Sequence, residues 1–139
     1  MIRGYFYTIG NRSRPYVSAT FRFPTLNSQR FEVRLLVDTG ADRTLLSPLD
    51  ARRIGIDITT LPLGSSSAGV GGQVPTRTVE AVLTIQYFST PLTLTIPETP
   101  RPIPSLLGRD ILSHFAPFME ERTNRVFLLE PHEADALPL

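Results

Sequence analysis

One carboxylate stands apart by its setting. Asp38 directly follows the apolar run Leu35-Leu36-Val37 and precedes Thr39, Gly40, Ala41 and Asp42. An acid at the end of a strand that enters a core is held in place by buried neighbours, which general acid-base work requires. Gly40 lets the backbone turn sharply and approach another chain or a ligand. The Thr39 hydroxyl is available to lock the loop, and the small Ala41 keeps space open beside the carboxylate. A strand-ending Asp in an ordinary Asx-turn has the same local look, so these residues alone leave a catalytic and a structural role equally open.

Other chemistries find little support. The 139 residues contain no cysteine, which removes disulfides, thiolate nucleophiles and Cys-based metal sites. His114 and His132 are the only histidines, and neither has a second ligand at metal spacing, so no metal and no cofactor is expected. The glycine-serine stretch at 64–72 lacks the Lys-Ser/Thr of a phosphate-binding loop and does not open a helix.

The elements around Asp38 read as strands. Tyr16 to Phe23 alternates, with Val17, Ala19, Phe21 and Phe23 on one face and Tyr16, Ser18, Thr20 and Arg22 on the other. Pro24 to Gln29 is a turn, and Phe31 to Val37 a strand. Thr76 to Tyr87 and Leu92 to Ile96 alternate again, and Ile2 to Thr8 forms an aromatic-rich strand. Ser47-Pro48 opens a short helix that Gly55 ends, with the hydroxyl at the cap and proline in the first turn. Gly108 to Phe115 suits two helical turns. Phe118–Glu120 and Arg125–Glu130 suit a hairpin about Thr123-Asn124, and the residues from Pro131 read as a frayed polar tail. The expected organisation is one domain over residues 1–139, with a core of about 14–130 and a tail of 131–139.

The 14 basic and 13 acidic residues nearly cancel. With no basic face and no apolar stretch of membrane length, neither nucleic acid nor membrane is an expected partner. No signal-peptide pattern opens the chain, so a cytoplasmic location is expected. Every basic residue is Arg and none is Lys. Together with the lack of viral polyprotein features, that composition favours a bacterial stand-alone protein.

Three motifs in order resemble the retropepsin-like aspartic proteases. They are Asp38-Thr39-Gly40-Ala41 after its apolar strand, the glycine-rich Ala68-Gly69-Val70-Gly71-Gly72 about thirty positions on, and Leu106-Leu107-Gly108-Arg109-Asp110 before a helix. The resemblance spans most of residues 31–130. It implies a mainly β, closed β-barrel-type acid protease fold with one lobe per chain, a flap hairpin, and one or two short helices. It implies an aspartic endopeptidase with Asp38, Thr39 and Gly40 catalytic, and with Ala41, Ala68, Gly69, Val70 and Gly71 against a peptide or protein substrate. Leu36, Pro91 and Ile96 are candidate wall residues besides. Gly108 and an Asp42–Arg109 pair would be structural. No other Asp here is followed by Thr-Gly or Ser-Gly, so the implied active form is a homodimer with one catalytic Asp per subunit. Two carboxylates sharing a proton would work best between mildly acidic and near-neutral pH. The alternative is a dimeric peptide- or protein-binding module on the same fold that cleaves nothing.

Overall fold

Alternation decides which side of each long strand faces the core. The computed structural model describes residues 1–26, 29–65, 67–69 and 72–139. Strands β1 (Ile2–Ile9), β2 (Arg12–Arg22) and β3 (Arg30–Val37) run antiparallel in sequence order, with Tyr5 opposite Tyr16 and Tyr16 opposite Leu36. Val17, Ala19 and Phe21 of β2 meet Val33, Leu35 and Val37 of β3 in the core, each almost fully buried. Burial of one such side chain contributes about 1.5–3 kcal/mol, so shifting either strand by one residue would expose the whole set.

Helix α1 (Pro48–Ile54) forms as its ends require. The Ser47 side chain accepts from the Asp50 N–H, Pro48 opens the first turn, and Gly55 closes it at φ 94°, a left-handed value that favours glycine. The small pair β4 (Ser67–Gly69) and β5 (Gly72–Val74) is an antiparallel hairpin. Next come β6 (Thr76–Ile85) and β7 (Phe88–Pro97), paired along their full length. Strand β8 (Leu106–Leu107) lies parallel to the end of β3. After α2 (Arg109–Leu112), β9 (Ala116–Glu120) and β10 (Arg125–Leu129) make a further hairpin. Its Glu120 carboxyl is held below the usual range by Thr123, Arg125 and Arg122.

The main sheet runs β7-β6-β2-β1-β10-β9, with β3 joined to β2 and β8. The mainly β expectation holds. The path of named strands ends on β7 and β9, and Leu45 bridges Thr95 of β7 to Leu106 of β8, which links β7 back to β3. Strand β1 is integral to it: Ile2 is fully buried and pairs with Leu128.

Residues after Glu130 differ from the expected frayed tail, for they form helix α3 (Pro131–Asp135). Pro131 presets the first φ, and the Glu133 carboxylate accepts the Glu130 N–H at 3.0 Å, which satisfies a donor that a helix start otherwise leaves free. Helix α2 is one turn long rather than the expected two. Among the described residues no helix is long and apolar enough to cross a membrane.

Candidate active site

The chain leaves β3 at Val37, and the parallel strand β8 holds the residues on either side of that exit. Leu36 N–H donates to the Ser105 carbonyl at 2.9 Å and Asp38 N–H to the Leu107 carbonyl at 3.1 Å, so the ladder runs one residue past the strand. Asp38 is thereby set at the mouth of the core rather than on a free loop. Its Oδ1 accepts the Gly40 N–H at 2.9 Å and its backbone carbonyl accepts from Ala41 at 3.2 Å. The Asx-turn that competed with catalysis as an explanation of these residues is therefore present. It orients the carboxylate while leaving Oδ2 without a hydrogen-bond partner among the described residues.

A cleft of about 560 Å³ opens beside this carboxylate. Asp38, Gly40 and Ala41 form its floor, with Leu45, Thr95 and Leu106 on one side. Ser65 and Thr76, from which the β4–β5 hairpin springs, also line it. The hairpin base is tied there: Gly64 N–H donates to the Thr76 carbonyl at 2.8 Å, and the Thr76 hydroxyl donates to the Ser65 carbonyl. Ala68 and Gly69 pair with Gln73 and Gly72 in that hairpin, whereas Val70 and Gly71 lie outside the described residues.

Three expected wall residues lie outside the cleft lining, one of them by a simple register effect. On β7, Thr95 faces the cleft, so its neighbour Ile96 points into the core and is fully buried. Pro91 sits further along β7, opposite Val82 and outside the cleft lining. Leu36, opposite Tyr16, pairs with the lining residue Leu106 but is not itself part of the lining.

The segment after Gly40 is fastened to the start of α2. Arg109 and Asp42 form an ion pair, with the two side chains 58% and 80% exposed. So exposed a pair contributes about 0–1 kcal/mol, which is too little to hold the loop. Backbone bonds hold it instead: Arg109 N–H to the Ala41 carbonyl at 2.8 Å and Asp110 N–H to the Asp42 carbonyl at 3.1 Å. Thr44 completes the fastening. Its N–H donates to both Asp110 carboxylate oxygens at 3.0 Å, its hydroxyl donates to Asp110 Oδ1 at 2.7 Å, and its Oγ accepts the Gly108 N–H at 3.1 Å. A Cβ at position 108 would collide with the Arg43 backbone, so the close approach needs glycine there.

A second polar knot lies behind this one. Ser105 Oγ accepts the Ser47 N–H at 2.9 Å and donates to Asp50 Oδ2 at 2.6 Å, joining α1 to the segment that enters β8. Sequence reasoning missed Thr44, Ser105 and Asp110. The available signals were a lone polar residue ahead of an apolar pair, a Ser before two leucines, and an acid in a first helical turn.

Residues 24–111 match the aspartyl protease family model. Three solved structures are similar in fold. A retropepsin-like aspartic protease from Rickettsia conorii shares 21% identity at TM-score 0.61, over 81% of this chain and 88% of that one. EIAV protease, complexed with the inhibitor HBY-793, shares 24% identity at TM-score 0.57, over 77% and 92% of the respective chains. The retroviral protease-like domain of Ddi1 from Leishmania major shares 17% at TM-score 0.53, over 84% and 94%. No curated protein matches the sequence.

Proposed function

The chain belongs to the aspartyl protease family, as a retropepsin-like, aspartic-type endopeptidase, and on that premise we propose that two copies build one active site with an Asp38 from each. One observation carries the proposal. The carboxylates that line the cleft are Asp38 and Asp42, and Asp42 is engaged by Arg109. Asp38 therefore has no second free carboxylate within the cleft among the described residues, and aspartic chemistry needs two. A two-fold axis beside Asp38 supplies its equivalent at no further cost in sequence.

In this dimer the two carboxylates share one proton, because two negative charges so close do not both persist. The ionised one takes a proton from a water, which attacks the scissile carbonyl carbon. The protonated one donates to the carbonyl oxygen as it becomes a hydroxyl. Collapse of the tetrahedral diol then breaks the C–N bond, with a proton delivered to the leaving nitrogen. No covalent link to the protein forms, in keeping with a chain that contains no cysteine.

Thr39 and Gly40 shape the turn that presents the carboxylate. Ala41 lines the path of a peptide bound in extended form, and the resemblance implies the same role for Ala68, Gly69, Val70 and Gly71. Main-chain hydrogen bonds give such a peptide its affinity, and alternate side chains give its selectivity.

Dilution tests the shared site. Activity per chain should fall as the protein is diluted through the range where its mass in solution drops from dimer to monomer. Activity per chain that stays constant in a demonstrated monomer would contradict the proposal.

A further inference from the structure

The face of β3 that presents Asp38 continues away from the cleft as an arginine-tyrosine surface. Val33, Leu35 and Val37 point into the core, so Arg34 and Leu36 point the opposite way, on the side where alternation also puts Asp38. The ladders set Tyr16 opposite Leu36, Tyr5 opposite Tyr16, and Tyr7 opposite Arg14. Carried two residues past its last pair, the β2–β3 register brings Arg14 level with Asp38.

These side chains are already ordered by one another. The Tyr5 and Tyr16 rings stack at 6.4 Å, Tyr7 meets Tyr16 edge-on at 6.3 Å, and the Arg34 guanidinium lies 4.1 Å from the Tyr7 ring centre. A groove of about 190 Å³ runs alongside, lined by Ile9, Arg12, Arg14 and Tyr16. Arg53, Arg77, Arg109, Arg122 and Arg125 all have carboxylate partners. Arg12, Arg14 and Arg34 have none among the described residues, although the chain is close to neutral as a whole. Pre-ordered aromatic rings beside uncompensated guanidinium groups make a surface suited to carboxylates.

We infer that this face is an extension of the substrate site that selects peptides carrying Asp or Glu about two to four residues from the scissile bond. The inference rests on the reading of Asp38 as the place of cleavage. The spacing comes from strand geometry. Arg34 is four residues from Asp38, roughly 13 Å at about 3.3 Å per residue, and an extended peptide advances at the same rate. Arg14, on the neighbouring strand, lies roughly 5 Å to the side. The occupant is the substrate itself because the β2–β3 register carries this surface up to Asp38, which lines the cleft, and its charge complements an acidic segment.

The test uses peptide pairs that differ only by Glu or Gln at those positions on either side of a mapped cleavage site. The wild-type protein should favour the Glu member by about 3- to 10-fold in kcat/KM, and added salt should shrink that ratio. The double variant R14Q/R34Q should bring the ratio close to one, while R52Q, on the exposed side of α1, should leave it in place. The same preference should appear as binding of uncleaved peptide to Asp38→Asn, read by fluorescence anisotropy, which separates recognition from hydrolysis. Binding preference in Asp38→Asn with no cleavage by wild type would overturn the proposed mechanism and support this inference. Equal treatment of Glu and Gln peptides by both proteins would overturn the inference. So would an R14Q/R34Q protein that turns monomeric and loses both peptides alike, since the face would then belong to the subunit contact.

Discussion

Replacing Asp38 by Asn should lower peptide cleavage by roughly 10³-fold or more while the protein keeps its fold and its mass in solution. The size reflects the chemistry. An amide accepts no proton from water at this position, and among the described residues no other free carboxylate lines the cleft to take over, because Asp42 is held by Arg109. Structural loss should be small. The Asn carbonyl can still accept the Gly40 N–H that Asp38 Oδ1 accepts now, and the Asp38 N–H keeps its bond to Leu107. Cleavage assays with sedimentation or light scattering on the same samples check both halves. Residual activity within about tenfold of wild type would remove Asp38 from the chemistry.

The second large effect is expected away from the reacting atoms, at Asp110. Its carboxylate is the acceptor for the N–H and the hydroxyl of Thr44, a residue with no exposed surface, and for the Ile111 N–H at 2.9 Å. Asp110→Ala leaves those buried donors unpaired, which costs about 1–3 kcal/mol per group when water is excluded. Asp110 itself is at the surface, so water enters part of the space left behind, and the total should settle near 2–3 kcal/mol rather than the sum.

Activity should fall further than stability, because Ala41, Asp42 and Arg43 line the cleft and reach α2 mainly through this knot. Asp110→Asn, which keeps one acceptor oxygen, should lose markedly less on both counts. Thermal unfolding and kcat/KM of the two variants provide the check. An alanine variant as stable and as active as wild type would show that the backbone bonds from Arg109 and Asp110 suffice.

Much of this architecture is legible in the sequence because it rests on local regularities. The buried faces of β2 and β3 come from alternation at Val17, Ala19 and Phe21 and at Val33, Leu35 and Val37. Helix α1 is marked by its cap, its proline and its glycine. Asp38 and the Asp42–Arg109 pair are traceable through motifs of fixed order, and the structure does bring that pair together.

The features that escape a reading of the sequence depend on contacts across long separations or on registers one residue fine. Thr44 and Asp110 are 66 positions apart, and Ser105 and Asp50 are 55 apart. No local spacing announces such bonds. Ile96 suits a cleft wall by its apolar side chain, yet the strand turns Thr95 there and buries Ile96. Helix α3 is hidden by its polar composition, which suits a solvated helix secured at its first turn as well as a frayed tail. The Leu45 bridges from Thr95 to Leu106 likewise join residues far apart in sequence, and alternation within a strand carries no information about which edges find partners.

The most direct measurement mixes wild-type chains with Asp38→Asn chains under conditions in which subunits exchange, and follows cleavage against the mixing ratio. If each active site takes one Asp38 from each of two subunits, an equal mixture should hold about one quarter wild-type dimers and show about one quarter of the activity of wild type at the same total chain concentration. A mixture with three mutant chains to each wild-type chain should fall to about one sixteenth. Activity that declines in simple proportion to the wild-type fraction, to about one half and one quarter, would mean that each chain works alone and would contradict the shared site.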